Sequence, residues 1–257
     1  VTVNPLIHDP WSKASLGGRQ NLDRERRIVG IHRPGSYAQF VAVPATNTYR
    51  LPDNMSLEVA ALAEPVACAM RAASLSGCRA TGAALVTGLG PIGLLTSLIL
   101  QGSGVHTIVA SDTDPDRRSI GESYGLHVVD PKAHNVAEVA KNLTGGHGVD
   151  VAIDAVGTHA TRRECIEAVS WGGRVIFAGL HEEESMLQAN YIIRSEITLQ
   201  GSFAYTTADF EDALDWLADG RVRIDPWVHK APLSQGGECF ERLLSKPGPV
   251  VKILLES

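Results

Sequence analysis

Three glycines at a fixed spacing are the first residues in this sequence that indicate chemistry. The segment VTGLGPIGLL carries Gly88, Gly90 and Gly93 in the spacing GxGxxG, after a strand pattern and at the start of a helix pattern. The first glycine of such a segment permits a tight turn, the second lets a pyrophosphate approach the backbone, and the third lets helix and strand pack closely. The predicted helix begins at Pro91 and Ile92, and its N-terminus offers free N–H groups and a partial positive charge to phosphates. The segment predicts a dinucleotide site; a glycine turn without a ligand is the alternative.

An acidic residue follows the second predicted strand, at the distance that a dinucleotide site requires. Asp112 lies 24 residues after Gly88. A carboxylate there accepts hydrogen bonds from the ribose 2′-OH of NAD and repels the 2′-phosphate of NADP. Arg117 and Arg118 follow closely and are the alternative, since arginine pairs well with phosphate. The sequence therefore predicts NAD in preference to NADP, with Asp112 and Arg117 both at the coenzyme.

The elements that would position these residues alternate between strand and helix from residue 83 onward. Apolar, β-branched strand patterns occupy 83–88, 106–112, 126–130, 149–157, 173–180 and 196–203. Helix patterns occupy 91–102, 115–125, 134–146 and 158–171. Near-continuous apolar strands between helices predict a parallel sheet covered on both faces. This is an α/β, doubly wound fold, which binds ligands at the carboxyl ends of its strands.

The flanking sequence has a different character. Before residue 60, the short strand patterns VTVNPLI and AQFVAVP and the turns RPGS and LPDN predict antiparallel pairing. After residue 203, the sequence predicts a helix at 208–220, a strand in PWVHKAPL, a helix in GGECFERLLS and a final strand in VVKILLE. We therefore expect a nucleotide-binding domain inserted between two parts of a smaller β-rich domain.

Composition limits the partners of the chain. Its 257 residues are 44% hydrophobic and 20% charged, with a net charge of -6 and no basic stripe, so we expect no nucleic-acid partner. The longest apolar run, LLTSLIL, is too short to span a bilayer, so we expect no membrane partner. Four scattered cysteines without a CxxC pair predict a reducing, cytoplasmic location. Because the chain starts at Val1 inside a strand pattern, we also expect further sequence upstream.

Four segments together resemble one known family. GSYAQFVAVP, LPDNMSLEVAALAEPVA, the glycine loop and TGGHGVDVAIDAVG are closely similar to the medium-chain, zinc-dependent alcohol dehydrogenases, within their sorbitol, threonine and sugar-alcohol branch. The resemblance extends over the whole chain. It implies a partial GroES-like catalytic domain, 1–66 and 204–257, around a Rossmann domain, 67–203. It also implies NAD-linked oxidation of a secondary alcohol of a polyol or sugar alcohol to a ketone, by a homodimer or homotetramer.

The resemblance assigns roles to individual positions. The family's nicotinamide-lining segments correspond to Val156, Gly157, Ala178, Gly179, Leu180 and Phe203. Glu64, in the sequence AEP, corresponds to a glutamate or cysteine at the catalytic zinc, and a carboxylate oxygen is a suitable zinc ligand. The alternatives are ordinary packing at strand ends for the first group and capping of the following helix for Glu64.

The sequence departs from the family at the catalytic zinc. The family's other ligands, a cysteine and a histidine in a GHE motif, have no counterpart here. Catalytic zinc needs three protein ligands and an open position, which Glu64 alone cannot supply. We therefore expect the chain as given to bind NAD without oxidising alcohols. A catalytically silent nucleotide-binding protein and a zinc-free reductase of the same superfamily remain alternatives.

A second departure concerns HDPWSKASLGGRQNLD, residues 8–23. Many relatives carry a lobe here in which four cysteines hold a structural zinc. The corresponding positions are Asp9, Ser12, Ser15 and Asp23. Because hydroxyls and carboxylates do not replace four thiolates around zinc, the sequence predicts no structural zinc. We expect hydrogen bonds to nearby N–H groups, Asp9–Arg19 and Asp23–Arg26 pairs, and Trp11 as an apolar anchor. A hard-cation site at Asp9 and Asp23 is the alternative.

Overall fold

The computed structural model describes residues 1–245 and 248–256. It divides into two compact units, one combining Val1–Cys68 with Phe203–Ser257 and the other formed by Ala69–Ser202. The predicted limits at 66 and 203 lie close to these boundaries. Over the described ranges, no helix combines the length and the apolar character that crossing a membrane requires.

The N-terminal segment forms short strands and helices. β1 (Thr2–Val3) pairs with β4 (Thr48–Tyr49), and β2 (Leu6–Ile7) pairs with β3 (Arg27–Ile28), both antiparallel as predicted. The helices of this segment are α1 (Lys13–Leu16), α2 (Leu57–Ala60) and α3 (Ala63–Ser76).

The unit Ala69–Ser202 is built on a six-stranded parallel sheet. Its strands are β5 (Ala83–Thr87), β6 (Thr107–Ser111), β7 (His127–Val129), β8 (Val149–Asp154), β9 (Val169–Phe177) and β10 (Thr198–Gly201). Their order is β10-β9-β8-β5-β6-β7, which is the doubly wound order 3-2-1-4-5-6. The order in which successive strands are added therefore reverses between β5 and β8, which remain parallel, and such folds bind their ligands at this point. The predicted α/β class is confirmed.

Four helices connect these strands where the sequence predicts them. They are α4 (Pro91–Gly102), α5 (Pro115–Ser123), α6 (Val136–Leu143) and α7 (His159–Ala168). Their starts follow from local chemistry, because Asp114 and Asn135 cap α5 and α6, and Thr158 forms a capping box with Thr161 on α7. A further helix, α8 (Ala189–Arg194), is not predicted.

The C-terminal segment returns to the first unit. It forms α9 (Thr207–Ala218), β11 (Val228–Pro232), α10 (Gly236–Ser245) and β12 (Lys252–Glu256), and β11 pairs with β12. These elements match the predicted ones. The rings of Tyr205 and Phe210 lie in the core of this unit, and Phe210 stacks on Tyr49 at 5.0 Å between centroids.

One predicted strand is wrong, and one predicted helix is shorter than expected. AQFVAVP, residues 38–44, forms no strand, although those residues are described. A strand needs a hydrogen-bonded neighbour, and this segment has no paired strand beside it, while Phe40 is 91% exposed. The helix predicted over 158–171 ends at Ala168, because Val169 pairs with Val149 and residues 169–171 extend β9.

Candidate functional site

The glycine loop between β5 and α4 is shaped by close contacts. Gly88 has a φ of +84°, and a Cβ there would lie 2.4 Å from Val156 Cγ2. A Cβ on Gly93 would lie 1.7 Å from the Gly88 carbonyl oxygen. Gly90 differs, since the atom nearest to its missing Cβ is Arg117 Nη1 at 3.7 Å. The first and third glycines are thus required by packing, whereas the second leaves space for a ligand.

The N-terminus of α4 faces the same loop. Gly90 is the N-cap and makes no side-chain cap, and Pro91 occupies the first turn. The first regular helical bond runs from the Leu94 N–H to the Gly90 carbonyl oxygen. The N–H groups of Ile92 and Gly93 precede it, and such groups bind phosphate oxygens at helix starts. The loop therefore fits the pyrophosphate of a dinucleotide.

Asp112 follows β6 and is held beside this loop. One carboxylate oxygen accepts from the Leu89 N–H at 2.7 Å, and the other accepts from the Asp114 N–H at 2.8 Å. Asp112 is only 8% exposed, and its Oδ2 lies 3.8 Å from Arg117 Nη1. Because a carboxylate offers about four lone-pair positions, these contacts leave capacity for a ribose hydroxyl. The bond to Leu89 also gives Asp112 a structural role that the sequence did not reveal.

The two arginines of α5 have different surroundings. Arg118 forms an ion pair with Asp130 at 2.9 Å and donates to the Asp112 carbonyl oxygen. Arg117 instead lines the cavity beside the glycine loop. Of the two, Arg117 is therefore the cation that could meet a 2′-phosphate.

A cavity of about 530 Å³ joins these residues, within the usual range for small-molecule sites. Its wall is formed by the loop, the ends of β6 and β8, and the first half of α7. Its lining includes Gly88, Gly90, Asp112, Arg117, Val156 and Glu164. Glu164 was not predicted. Its Oε2 accepts from the Ser111 hydroxyl at 3.4 Å. Burial raises the pKa of Glu164 to about 7, against the lowering effect of that hydrogen bond, and the Asp154 carboxylate raises it further.

The predicted nicotinamide segments form two loops that press together. A Cβ on Gly157 would lie 2.3 Å from the Gly179 carbonyl carbon, and one on Gly179 would lie 2.1 Å from the Val156 carbonyl carbon. The N–H groups of Ala178 and Gly179 both donate to the Asp154 carbonyl oxygen at 2.9 Å. These glycines therefore have a packing reason of their own.

Other residues predicted at the nicotinamide are placed separately. Leu180 is 83% exposed, and Val156 borders the cavity beside Asp112. Phe203 belongs to the unit that contains both termini, where Arg26 lies 4.4 Å from the centre of its ring. The described cavity thus brings together the phosphate loop, Asp112, Arg117 and Val156.

Glu64 lies in the first turn of α3. Its Oε1 accepts a hydrogen bond from the Cys68 thiol at 3.4 Å. Burial, followed by the Glu64 charge, raises the pKa of Cys68 well above the usual value of a thiol. Among the described residues, no three His, Cys, Asp or Glu side chains are grouped to hold a metal ion. The donor set of these residues does not fit a three-ligand catalytic zinc, because Glu64 contributes one carboxylate.

Residues 8–23 form a lobe held by polar side chains. Asp23 is 4% exposed and accepts from the N–H groups of Asp9 at 2.8 Å and Glu25 at 3.2 Å. The bond from Asp9 lowers the pKa of Asp23. The Ser12 hydroxyl accepts from the Ser15 N–H and donates to the Ser15 hydroxyl, which contacts His8 Nδ1 at 2.9 Å. The predicted hydrogen bonds to backbone N–H groups are confirmed.

Three other predicted contacts in the lobe are wrong. Trp11 is 79% exposed and anchors nothing. The Asp9 carboxylate accepts from the Trp11 N–H rather than from Arg19, and Arg26 donates to the Asp23 carbonyl oxygen rather than to its carboxylate. The buried anchor is Asn21, whose amide donates to the Phe203 carbonyl oxygen at 2.7 Å. An amide was missed because its partner lies far along the chain.

Comparison with known proteins agrees with this geometry. The family model "Zinc-binding dehydrogenase" matches residues 91–219, half of the chain. An L-threonine 3-dehydrogenase of Rhizobium rhizogenes is 30% identical over 89% of the chain. The matched part is 66% of the length of that relative, which is slightly less than two thirds. A D-xylulose reductase of Saccharomyces cerevisiae is 27% identical over 100% of the chain and 74% of its own length. The structure of a zinc-binding dehydrogenase of Sinorhizobium meliloti 1021, solved with NADP bound, is also similar, with 29% sequence identity and a TM-score of 0.88. The match covers 98% of this chain and 74% of the length of that protein.

Proposed function

Because the chain belongs to the medium-chain, zinc-binding dehydrogenase family, we propose that it binds NAD(H) within a protein that transfers hydride between that coenzyme and a secondary alcohol. The substrate class we propose is a polyol or sugar alcohol, which becomes a ketone. The observation that carries this proposal is the cavity that the glycine loop, Asp112 and Arg117 border together.

Each residue of the cavity has a specific part in the proposal. Gly90 leaves room for the pyrophosphate, and the N–H groups of Ile92 and Gly93 at the start of α4 bind its oxygens. Asp112 accepts from the ribose 2′-OH of NAD. Val156 contacts the part of the coenzyme that lies beside Asp112. Gly157, Ala178, Gly179, Leu180 and Phe203 remain the proposed contacts of the nicotinamide.

The substrate class is supported by relatives of known name. Threonine 3-dehydrogenase and D-xylulose reductase, by their names, act on compounds that carry hydroxyl groups. When bound, a family zinc would polarise the alcohol and stabilise its alkoxide. Glu64 is the described residue proposed for that metal, and it does not form the site alone. We therefore assign coenzyme binding, and no zinc-dependent step, to the described residues.

Coenzyme titration tests the proposal. NADH and NADPH binding to the chain is followed by nicotinamide fluorescence, for wild type, Asp112→Ala and the control Asp116→Ala, whose side chain is exposed in the first turn of α5. Wild type should bind NADH more tightly than NADPH. Asp112→Ala should reduce that preference by about 10-fold to 100-fold, because it removes both a charged hydrogen-bond acceptor and a repulsive charge.

The control separates coenzyme contact from general damage. Asp116→Ala should keep the wild-type preference. Binding of neither coenzyme by the folded wild-type chain would overturn the proposed function. A wild-type preference for NADPH would overturn the role of Asp112 and favour Arg117 as a ligand of the 2′-phosphate.

A further inference from the structure

Glu164 borders the coenzyme cavity but has no part in the proposal above. It projects from α7, and its carboxyl group accepts a hydrogen bond from Ser111, the residue immediately before Asp112. A carboxyl group has more hydrogen-bonding capacity than this one contact uses. Glu164 can therefore also contact a ligand in the cavity whose polar groups are complementary to a carboxyl group.

The geometry of a dinucleotide indicates which group this is. If Gly90 meets the pyrophosphate and Asp112 meets the ribose 2′-OH, the purine bonded to that ribose occupies the remaining cavity beside Asp112. The wall there is formed by residues from the ends of β6 and β7 and from α7. These residues are Thr113, Pro131, Thr158, Ala160, Thr161 and Glu164. Among them, Glu164 is the one with an ionisable side chain.

We propose that Glu164 contacts the purine base of the bound coenzyme and selects adenine by its hydrogen-bonding edge. This inference rests on the proposed function. Adenine presents an N6 amino donor next to the N7 acceptor. A neutral carboxyl group offers the complementary pair, because its carbonyl oxygen accepts and its O–H donates. Hypoxanthine carries an oxygen in place of the amino group and so removes the donor.

The surroundings of Glu164 favour the neutral form that this pairing needs. Asp154 on β8 and Glu167 on α7 both raise the pKa of Glu164, as burial does more strongly. Asp112 at the end of β6 adds a third carboxylate on the cavity wall, opposed by Arg117 on α5. Arg162 Nε lies 3.9 Å from Asp154 Oδ2, and the terminal nitrogens of Arg162 donate to Ser185 and to the Glu182 carbonyl oxygen. With a pKa of about 7, Glu164 is largely protonated at pH 6 and largely ionised at pH 8.

The experiment compares two coenzymes that differ at one purine position. NADH and reduced nicotinamide hypoxanthine dinucleotide are titrated against the full chain by fluorescence, for wild type, Glu164→Ala and Glu164→Gln. If NADPH binds more tightly, it is used with its hypoxanthine counterpart. Glu122→Gln is the matched control, because Glu122 is exposed near the end of α5 and lies outside the cavity lining.

The expected result is a loss of base selectivity in one variant. Wild type and Glu122→Gln should prefer the adenine coenzyme by about fivefold to tenfold, the value of one or two hydrogen bonds. Glu164→Gln keeps a donor and an acceptor and should keep most of that preference. Glu164→Ala should bind both coenzymes within about twofold of each other. Wild-type NADH affinity should also fall as pH rises from 6 to 8, whereas the affinity of Glu164→Gln should change less.

The outcomes distinguish this inference from the proposed function. If wild type binds no coenzyme, the proposed function fails. If wild type binds NADH and Glu164→Ala retains full selectivity, the inference is overturned and the proposed function stands. If Glu164→Ala does not fold, as judged by circular dichroism, the pH profiles decide. Identical profiles for wild type and Glu164→Gln would then overturn the inference.

Discussion

Removing the Asp23 carboxylate should loosen the lobe of residues 8–23 more than any neighbouring change. In Asp23→Ala the N–H groups of Asp9 and Glu25 lose their acceptor, and the side chain they contact is almost fully buried. Hydrogen bonds to a charged acceptor contribute about 1.5–3 kcal/mol each. Allowing for partial solvation of these N–H groups, we expect a loss of about 2–4 kcal/mol. Asp9→Ala is the matched control, since it removes one exposed hydrogen bond to the Trp11 N–H and should cost less than about 1 kcal/mol.

The effect should depend on pH with a definite sign. Hydrogen bonds lower the pKa of Asp23 in the folded state below its ordinary value of 3.8. A depressed acid contributes stability that is complete above its unfolded pKa and is lost as pH falls through the folded one. The difference between wild type and Asp23→Ala should therefore be constant from pH 5 to 7 and shrink below about pH 4.

Two measurements check this prediction. Hydrogen exchange followed by mass spectrometry reports local opening of residues 8–25, and urea unfolding reports the free energy of the unit. The reasoning is refuted if Asp23→Ala and Asp9→Ala are equally protected and equally stable.

The prediction of no structural zinc is tested by elemental analysis of protein purified without chelators. A metal that is bound by the wild type and lost in the Asp9→Ala/Asp23→Ala double variant would refute this prediction in favour of the hard-cation site.

Three further predictions concern the unit Ala69–Ser202. Gly93→Ala should lower the free energy of urea unfolding by on the order of 3 kcal/mol, because the added Cβ meets the Gly88 carbonyl oxygen. Gly90→Ala should leave that free energy unchanged and weaken NADH binding. Equal stabilities of the two variants would contradict this prediction. Asp154→Ala should cost about 2–4 kcal/mol, since two backbone N–H groups and a threonine hydroxyl lose an acceptor, and Asp154→Asn should cost less. Because folding raises the pKa of Glu164, the free energy of unfolding of the wild type should fall as pH rises from about 4.5 to 7. By pH 8, Glu164→Gln should therefore be more stable relative to wild type by up to about 3 kcal/mol than it is at low pH. Parallel curves of stability against pH would contradict this prediction.

Local requirements made the centre of the fold predictable from sequence. Because Gly88 has a positive φ and Gly93 has no room for a side chain, the loop requires glycine at both positions, and this spacing can be recognised in the sequence. β5 is buried on both faces, which gives a continuous apolar run. Caps and first-turn prolines mark the starts of the helices that follow. Each of these features involves only a few neighbouring residues. Together they are sufficient to predict the alternation of strands and helices.

Long-range partners were the limit of that prediction. The amide of Asn21 is satisfied by a carbonyl 182 residues away, and Glu164 meets Ser111 across 53 residues. A sequence shows neither contact, because the first depends on the return of the chain after Ser202 and the second depends on the order of the strands in the sheet. AQFVAVP fails for a related reason, since an alternating apolar pattern does not disclose whether a neighbouring strand is present to pair with it.

Asp112 has one role that can be predicted from the sequence and one that cannot. Its distance from the glycine loop follows from sequence, but its bond to the Leu89 N–H appears only in the folded unit. That bond and the one from Asp114 hold both carboxylate oxygens in place without any coenzyme contact. A group already ordered in this way loses little conformational freedom when a ribose hydroxyl arrives, which favours binding. The same contact ties the loop to the end of β6, so a change at Asp112 alters the phosphate loop as well as the ribose contact. Loss of discrimination between NADH and NADPH, rather than loss of affinity for either, is therefore the measurement that isolates its role in recognition.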